Sequence, residues 1–463
     1  MTVPEHAQKD NTMAVEIKVL TLNVWGIPGV SKDREVRIEA IANQLVTGPD
    51  EFDFVFLQEV WCEADYFLLA SKVNKVLPFR HYFASGVIGS GMCIFSRSPL
   101  TEVYFHKFTL NGFPHKITHA DWWGGKGMAV CKSTRHGIPF VLATTHLLGV
   151  YHNTCKGLTA HLCKCSRGMQ NDEERPIVNK FHAEYNRKND EYVHHRVVQA
   201  FETSQLIRFC QKAGSVLIFA GDFNCTPTDF AYRIVKFYGN LVDTYTESPV
   251  KTPGSNGETN ETPSNSYTNV KALIDNPSGN RIDYVFYQAS ASHKVKTKVC
   301  DQPWPQKVPQ KDFSFSDHEA VRTILTVTPA KDDENTETIT EVQAQTDALL
   351  ESSAVCEQGM KKVAVSRRFY LMLSVLLTVL QLGYLVVLSL DISPWLRVGL
   401  GILSLVSMSF LLYFLFMGTV FYHVEFNGVK ATKLAIKRHL EMLTEKNAQI
   451  FEEERKRSLS LIK

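Results

Sequence analysis

The chain has almost no excess charge of either sign. Its 463 residues carry 50 Lys and Arg against 48 Asp and Glu, a net of +2. A protein that holds nucleic acid by bulk positive charge needs a basic face, so this balance argues against such a partner. The first twenty residues, MTVPEHAQKDNTMAVEIKVL, lack an apolar h-region and do not read as a signal peptide. The ten Cys are therefore expected to be mostly reduced thiols. No internal repeat is found. The Cys and His residues lack the spacing of a structural zinc site, and no Ser-His-Asp set with a nucleophile elbow is present. The run Gly124-Gly125-Lys126-Gly127 is too short for a nucleotide P-loop.

Apolar length is what the chain does have. Residues 369–390 and 398–422 form runs of 22 and 25 residues without a charge. About 20 such residues span a bilayer core as a helix. Between them lie Asp391 to Arg397, where Pro394 suits a tight turn and Trp395 suits the membrane interface. The two runs thus read as a hairpin with both flanks on one side. Lys361, Lys362, Arg367 and Arg368 precede it, and Lys430, Lys433, Lys437 and Arg438 follow. The turn offers only Arg397, so the positive-inside rule places both flanks, and both termini, in the cytosol. An integral protein of the endoplasmic reticulum or another internal membrane is expected, with the plasma membrane as the alternative.

Charge divides by segment. Residues 1–330 sum to +2, residues 331–368 to −3 and residues 369–463 to +3. The acidic stretch has no aromatic residue and reads as a linker, with helix expected near 339–358. Residues 428–457 read as a charged helix.

Residues 14–328 suffice for one α/β domain. Short apolar runs recur at 15–22, 53–57, 92–95, 139–145, 215–220, 282–287 and 320–327, with helix-like stretches at 33–46, 63–76 and 190–212. Several runs end directly in a polar residue: Asn23, Glu59, His146, Asp222 and Asp283. Polar residues just past apolar strands converge at one rim of a sheet, where an active site can form. Asn23, Glu59, Asp222, Asn224, Asp283 and Asp317 offer hard oxygen ligands of the kind Mg²⁺ takes, and His146 and His318 offer imidazoles. That set suits hydrolysis of a phosphate ester by an activated water.

The ordered motifs LNVWG (22–26), QEVW (58–61), TTHL (144–147), GDFN (221–224), RIDYVF (281–286) and SDHEAV (316–321) resemble the endonuclease/exonuclease/phosphatase superfamily. With HAEYNRKNDEYVHHR (182–196) and the hairpin, they are similar to the neutral sphingomyelinases. The resemblance implies an α/β fold, a four-layered DNase-I-like sandwich of two packed mixed sheets flanked by helices, followed by a C-terminal transmembrane helical hairpin. It implies a 1–13 tail, a 14–328 catalytic domain, a 329–368 linker, a 369–422 hairpin and a 423–463 cytosolic helix and tail. The implied reaction is Mg²⁺-dependent cleavage of sphingomyelin to ceramide and phosphocholine. Glu59 is the implied metal ligand, assisted by Asn23, with Asp317 near the metal. His318 is the implied general base, oriented by Asp283. Asp222 would position the water or the metal's shell, and Asn224 and His146 would contact phosphate oxygens.

The stretch Asp121-Trp122-Trp123-Gly124-Gly125-Lys126-Gly127 also resembles a family feature, in which the Asp and Lys pair and gate the site. The plain alternative is a salt-bridged surface turn. Trp122 and Trp123 suit either a quaternary ammonium group or the membrane interface, and core packing for one of them. One departure stands out. In the family the TTHL histidine is followed closely by the HAEY segment, whereas here residues 148–181 intervene and hold His152, Cys155, His161, Cys163 and Cys165. This insertion reads as unstructured, with a zinc cluster as the alternative, although Cys163 and Cys165 are separated by one residue and not the usual two to four. His161, in Thr-Ala-His-Leu, echoes His146, which is preferred because an apolar run feeds it.

The expected partners are sphingomyelin and membrane lipid, not nucleic acid. A homo-oligomer through the hairpin or the C-terminal helix would be compatible with the sequence. The alternatives are the same fold acting on lysophosphocholine lipids or inositol phosphates, a nuclease, and a non-catalytic membrane scaffold.

Overall fold

The computed structural model describes residues 14–151, 190–210, 214–330 and 338–460. From His152 onward the expected insertion at 148–181 lies outside these residues, as do its Cys and His residues. Contacts divide the described residues into two units. One takes in 14–151, 190–192, 199–210, 214–330 and 338–348; the other takes in 193–198 and 349–460.

The first unit is built on twelve strands in two sheets. They are β1 (Val15–Asn23), β2 (Phe54–Gln58), β3 (Phe79–Phe83), β4 (Met92–Ser96), β5 (Leu100–Lys107), β6 (Gly127–Arg135), β7 (Ile138–His146), β8 (Val216–Asp222), β9 (Val242–Asp243), β10 (Asp283–Gln288), β11 (His293–Asp301) and β12 (Val321–Pro329). One sheet runs β11-β12-β1-β2-β4-β3, the other β5-β6-β7-β8-β10-β9. Each is mixed, with one parallel pair near its centre: β1 beside β2, and β7 beside β8.

Alternation along the strands fixes the layers. On β1, Ile17 and Val19 point one way and meet Phe140, Leu142, Ile218 and Val285 of the other sheet, all buried. Leu20 and Leu22 point the other way. They pack under Ile38, Ile41 and Leu45 of the helix Arg34–Thr47 and Leu69 and Val73 of the helix Glu63–Val73. Burying each such side chain contributes about 1.5–3 kcal/mol. On the far side, Phe201 in the helix Val193–Cys210 stacks on Tyr238 at 5.4 Å, and Tyr232 lies on Tyr284 of β10 at 5.2 Å. The result is helices, sheet, sheet, helices: the DNase-I-like sandwich expected from the motifs.

Register then places the rim. Asn23 pairs with Gln58, His146 with Asp222 and Asp283 with Asp222. The crossing is tight at Gly221, where a Cβ would sit 2.1 Å from Thr145 O. Only glycine fits there.

The second unit is helical. Most of the acidic stretch belongs to Ile339–Leu388, one helix of 50 residues that takes in the stretch where helix was expected, 339–358, and continues through the first uncharged run; its first ten residues count with the first unit. The run of i,i+4-compatible Glu, Gln, Leu and Ala residues explains its persistence. Ser393 caps the helix Pro394–Phe416, accepting the Leu396 N–H, with Pro394 in the first turn. Gln381 and Ser404 bond across the hairpin, through Nε2 to Ser404 O at 2.9 Å and Ser404 Oγ to Gln381 Oε1 at 2.8 Å. Helices long and apolar enough to cross a membrane are present twice in this unit. A last helix spans Tyr422–Ser460.

Candidate active site

The strand ends bring the expected polar residues together. His318 Nδ1 lies 2.8 Å from Asp283 Oδ2, and its Nε2 faces Asp222 Oδ2 at 4.0 Å. Both carboxylates are buried. Asn23 Nδ2 donates to Glu59 Oε1 and to Asp222 Oδ2, each at 3.0 Å. Its oxygen accepts the Trp25 N–H at 2.9 Å, so here Asn23 bridges two carboxylates. Turning its amide over would present the oxygen to a cation instead. Asn224 binds Asp222 through its own N–H at 2.8 Å and donates its side-chain amide to Leu147 O at 3.0 Å. Glu59 and Asn224 have φ of +60° and +46°, a conformation that costs on the order of 1–3 kcal/mol outside glycine. Packing holds Glu59 there, since Gly26 N–H donates to Glu59 O and a Cβ on Gly26 would meet that oxygen at 2.4 Å, and the bonds to Asp222 and Leu147 O hold Asn224.

The charges interact strongly. Burial, then the charge of Asp283, raises Asp222 to about 7, against opposing help from His318, Asn23 and Asn224. Burial alone would lower His318. The charges of Asp283 and Asp317, the Asp283 hydrogen bond and Asp222 outweigh it and hold the imidazole well above its ordinary value. Asp317 is raised to about 6 by burial, with Glu59 adding to the shift. His146 goes the other way: burial, Lys126 and His318 hold it well below the ordinary range, so it is a neutral imidazole.

The oxygen set fits a hard cation. Glu59 Oε2 and Asp283 Oδ1 are buried without a hydrogen-bond partner. A buried carboxylate oxygen left unpaired is costly, and a divalent ion would satisfy it. Asp222, Asp283 and His318 also present ligand atoms within 4.8 Å of one another.

The Asp121–Lys126 stretch is not a surface turn. Asp121 opens a helical turn, Asp121–Gly124, and pairs with Lys126 Nζ at 2.6 Å, both side chains 4% exposed. Lys126 Nζ also donates to Leu147 O at 2.9 Å and stands 3.0 Å from His146 Nε2. The two tryptophans stay outside this network. Trp123 spends its N–H on Pro114 O, and Trp122 is 37% exposed.

Arg37 is the residue that motif reading misses. Fully buried, it donates from Nη1 to Val24 O (2.7 Å) and Phe315 O (3.1 Å), and from Nη2 to Trp25 O (2.7 Å). One guanidinium thus ties the segment after Asn23 to the one before Ser316. Its signal was an Arg four residues before Ile41 on the apolar stripe of the first helix. A second group, in the helical unit, was also missed. Glu425 Oε1 accepts from His194 Nε2 at 3.1 Å and His195 Nε2 at 3.0 Å.

Comparison with known proteins agrees with this geometry. Residues 20–318 match the Endonuclease/Exonuclease/phosphatase family. The chain belongs to the endonuclease/exonuclease/phosphatase family. Within it, a Drosophila melanogaster protein whose name includes neutral sphingomyelinase is 38% identical over 67% of this chain and 60% of its own length. Human sphingomyelin phosphodiesterase 2 is 33% identical over 68% of this chain and 65% of its own. The inositol phosphosphingolipids phospholipase C of Schizosaccharomyces pombe is 30% identical over 68% of this chain and 69% of its own. The chain therefore spans a little under two thirds of the Drosophila and human relatives. The members of this family named here are phosphoester hydrolases by name, and the rim residues of this chain are the groups such chemistry needs.

Proposed function

We propose that the protein hydrolyses the phosphodiester of sphingomyelin, giving ceramide and phosphocholine, at the cytosolic leaflet of a membrane. The observation that carries this reading is the Asp283–His318–Asp222 line of buried groups ending at the orphaned oxygens of Glu59 and Asp283. The sphingolipid hydrolases among its relatives support the substrate class.

Asp283 fixes the imidazole of His318 by taking its Nδ1 proton in a hydrogen bond, which leaves Nε2 free to accept a proton from water. The 4.0 Å between Nε2 and Asp222 leaves room for that water to be held by both groups. The carboxylates around His318 favour its protonated form, so a free base at neutral pH demands added positive charge in the site. Glu59, with Asn23 turned over and Asp317 nearby, would hold Mg²⁺. Bound there, the ion supplies positive charge against the phosphoryl oxygen and the leaving alkoxide. The Asn224 amide, and neutral His146 once Lys126 no longer donates to its Nε2, would donate to phosphate oxygens, which gain charge as the bond breaks. Lys126, neutralised by Asp121, becomes a phosphate partner when that pair opens. Trp122 offers an aromatic face to a choline group.

The basic flanks of the hairpin support a cytosolic catalytic domain. Two spans hold the enzyme beside its lipid and raise the local substrate concentration. A substrate panel tests the headgroup: sphingomyelin, phosphatidylcholine, a lysocholine lipid and an inositol phosphosphingolipid, each with Mg²⁺. Turnover of sphingomyelin above the others is expected. Turnover of the inositol lipid alone would replace choline with inositol in this reading.

A further inference from the structure

The described residues hold two groups of three His or carboxylate side chains whose ligand atoms lie within 4.8 Å of one another. One is Asp222, Asp283 and His318 at the catalytic rim. The other is His194, His195 and Glu425, which plays no part in the hydrolysis described above. All three belong to the helical unit, to which the helix Val193–Cys210 gives residues 193–198. Their burial is nearly complete: His194 is 3% exposed, His195 0% and Glu425 5%. Neighbours along a helix point about 100° apart and do not normally meet one partner. Here both do. His194 Nε2 and His195 Nε2 stand 3.1 and 3.0 Å from the same oxygen, Glu425 Oε1, and the two rings cross at 84° with centroids 4.5 Å apart. Two further helices fix the group. Glu425 lies in the first turn of Tyr422–Ser460. Gly359, in Ile339–Leu388, comes so close to His194 that a Cβ there would sit 2.7 Å from His194 Cβ. Lys433 and Glu357 join the same two helices at 3.1 Å.

We propose that His194, His195 and Glu425 form a second metal site, for Zn²⁺, that fastens the first turn of the helix Val193–Cys210 to the helix that follows the second uncharged run. The spacing suits an ion. Zinc binds imidazole nitrogen at about 2.0–2.1 Å and carboxylate oxygen at about 2.0–2.2 Å, which sets tetrahedral ligand atoms roughly 3.3–3.5 Å apart. The present 3.0 and 3.1 Å contacts fall just inside that spacing, so the side chains need part only slightly. On binding, each imidazole keeps its proton on Nδ1 and gives its Nε2 lone pair, and the Nε2 protons leave to solvent. A water completes the fourth position. Donor chemistry separates this site from the rim. Two imidazoles and one carboxylate favour a borderline ion such as Zn²⁺, whereas Mg²⁺ takes oxygen ligands and keeps several waters. The metal-free group is held by two N–H···O bonds, and an ion that binds only the folded chain adds to its stability.

The test uses the full chain in detergent, stripped with a chelator and then dialysed with Zn²⁺ in excess Mg²⁺. Two other places offer zinc ligands: the catalytic rim, and Cys155, Cys163 and Cys165 of the insertion. A reference chain therefore carries Glu59→Gln, His318→Ala, Cys155→Ser, Cys163→Ser and Cys165→Ser. Wild type and the reference chain should each retain zinc, about one ion per chain in the reference. The zinc X-ray absorption spectrum of the reference should show two imidazoles, with nitrogen and oxygen at about 2.0–2.2 Å and no sulfur at about 2.3 Å. His195→Gln keeps an amide donor for Glu425 and removes a ligand nitrogen. Added to either chain, it should weaken zinc binding about 100-fold or more. Zinc should raise the melting temperature of the reference chain and leave that of its His195→Gln variant in place. A reference chain that holds no zinc against excess Mg²⁺ would overturn the proposal. So would a spectrum without two imidazoles, which decides the matter even where His195→Gln fails to fold. Zinc kept by the His195→Gln variant of the reference chain would overturn it as well, since the ion would then lie elsewhere.

Discussion

His318 Nδ1 stands 2.8 Å from the buried carboxylate of Asp283, and this contact sets both the orientation and the basicity of the imidazole. Asp283→Asn should lower turnover by about 10²–10⁴-fold. The sign of the pH effect also follows. Asp283 raises the His318 pKa, so its removal lowers it. The acidic limb of the kcat/KM profile should move to lower pH in the variant. A pH–rate series on both proteins checks this; a limb that stays in place would assign the base to another group.

Lys126 and Asp121 form a buried pair rather than a surface one, which separates stability from activity. Lys126→Met leaves Asp121 buried and uncompensated and should cost about 3–5 kcal/mol. Lys126→Met with Asp121→Asn should restore most of that stability without restoring activity. Denaturant unfolding and sphingomyelin turnover of the single and double variants measure the two effects. Full recovery of turnover in the double variant would limit the pair to a structural role.

Arg37 spans four carbonyls, those of Val24, Trp25, Lys32 and Phe315, with one planar fork. Lysine has a single point charge and cannot bridge them, so Arg37→Lys should lose about 1.5–3 kcal/mol. Because the clamp joins Trp25 to Phe315, the same variant should need more Mg²⁺ for half-maximal activity. Unfolding and a Mg²⁺ titration report the two outcomes.

Burial alone would raise Glu425, but hydrogen bonds from His194 and His195 outweigh it and bring the carboxyl to about 2. A depressed carboxylate stabilises the fold above its unfolded value of about 4.3, and that stability is lost as pH falls toward the folded value. Wild type should therefore melt about 1.5–3 kcal/mol above Glu425→Gln at neutral pH, with the gap closing on acidification. Thermal unfolding in detergent from neutral to acidic pH follows the gap.

Most of the rim is legible in the sequence because the chemistry sits where apolar runs end. Asn23, His146, Asp222 and Asp283 terminate or begin strands, so one-dimensional pattern and three-dimensional convergence coincide. The layers follow for the same reason from the alternation along β1. What pattern does not carry is contact at long range. Arg37 looks like an ordinary helix arginine until Phe315, distant in sequence, accepts its proton. The edge strand β11 is hidden by Lys294, Lys296 and Lys298, whose charges guard an exposed edge and mask the alternation of Val295 and Thr297. The pairing of Asp121 with Lys126 is expected from the resemblance, but pattern alone leaves a surface turn open because glycines and charge usually lie outside; only Leu147 O and His146, distant in sequence, show the lysine to be buried.

Metal-dependent hydrolysis with His318 as the base is tested most directly by phosphocholine release from sphingomyelin by the detergent-solubilised full chain, with Mg²⁺ or with EDTA, for wild type and His318→Ala. Wild type should release phosphocholine with Mg²⁺ and none with EDTA, and His318→Ala should lose about 10²–10⁴-fold. Release that persists in EDTA, or a His318→Ala variant that turns over like wild type, would contradict it.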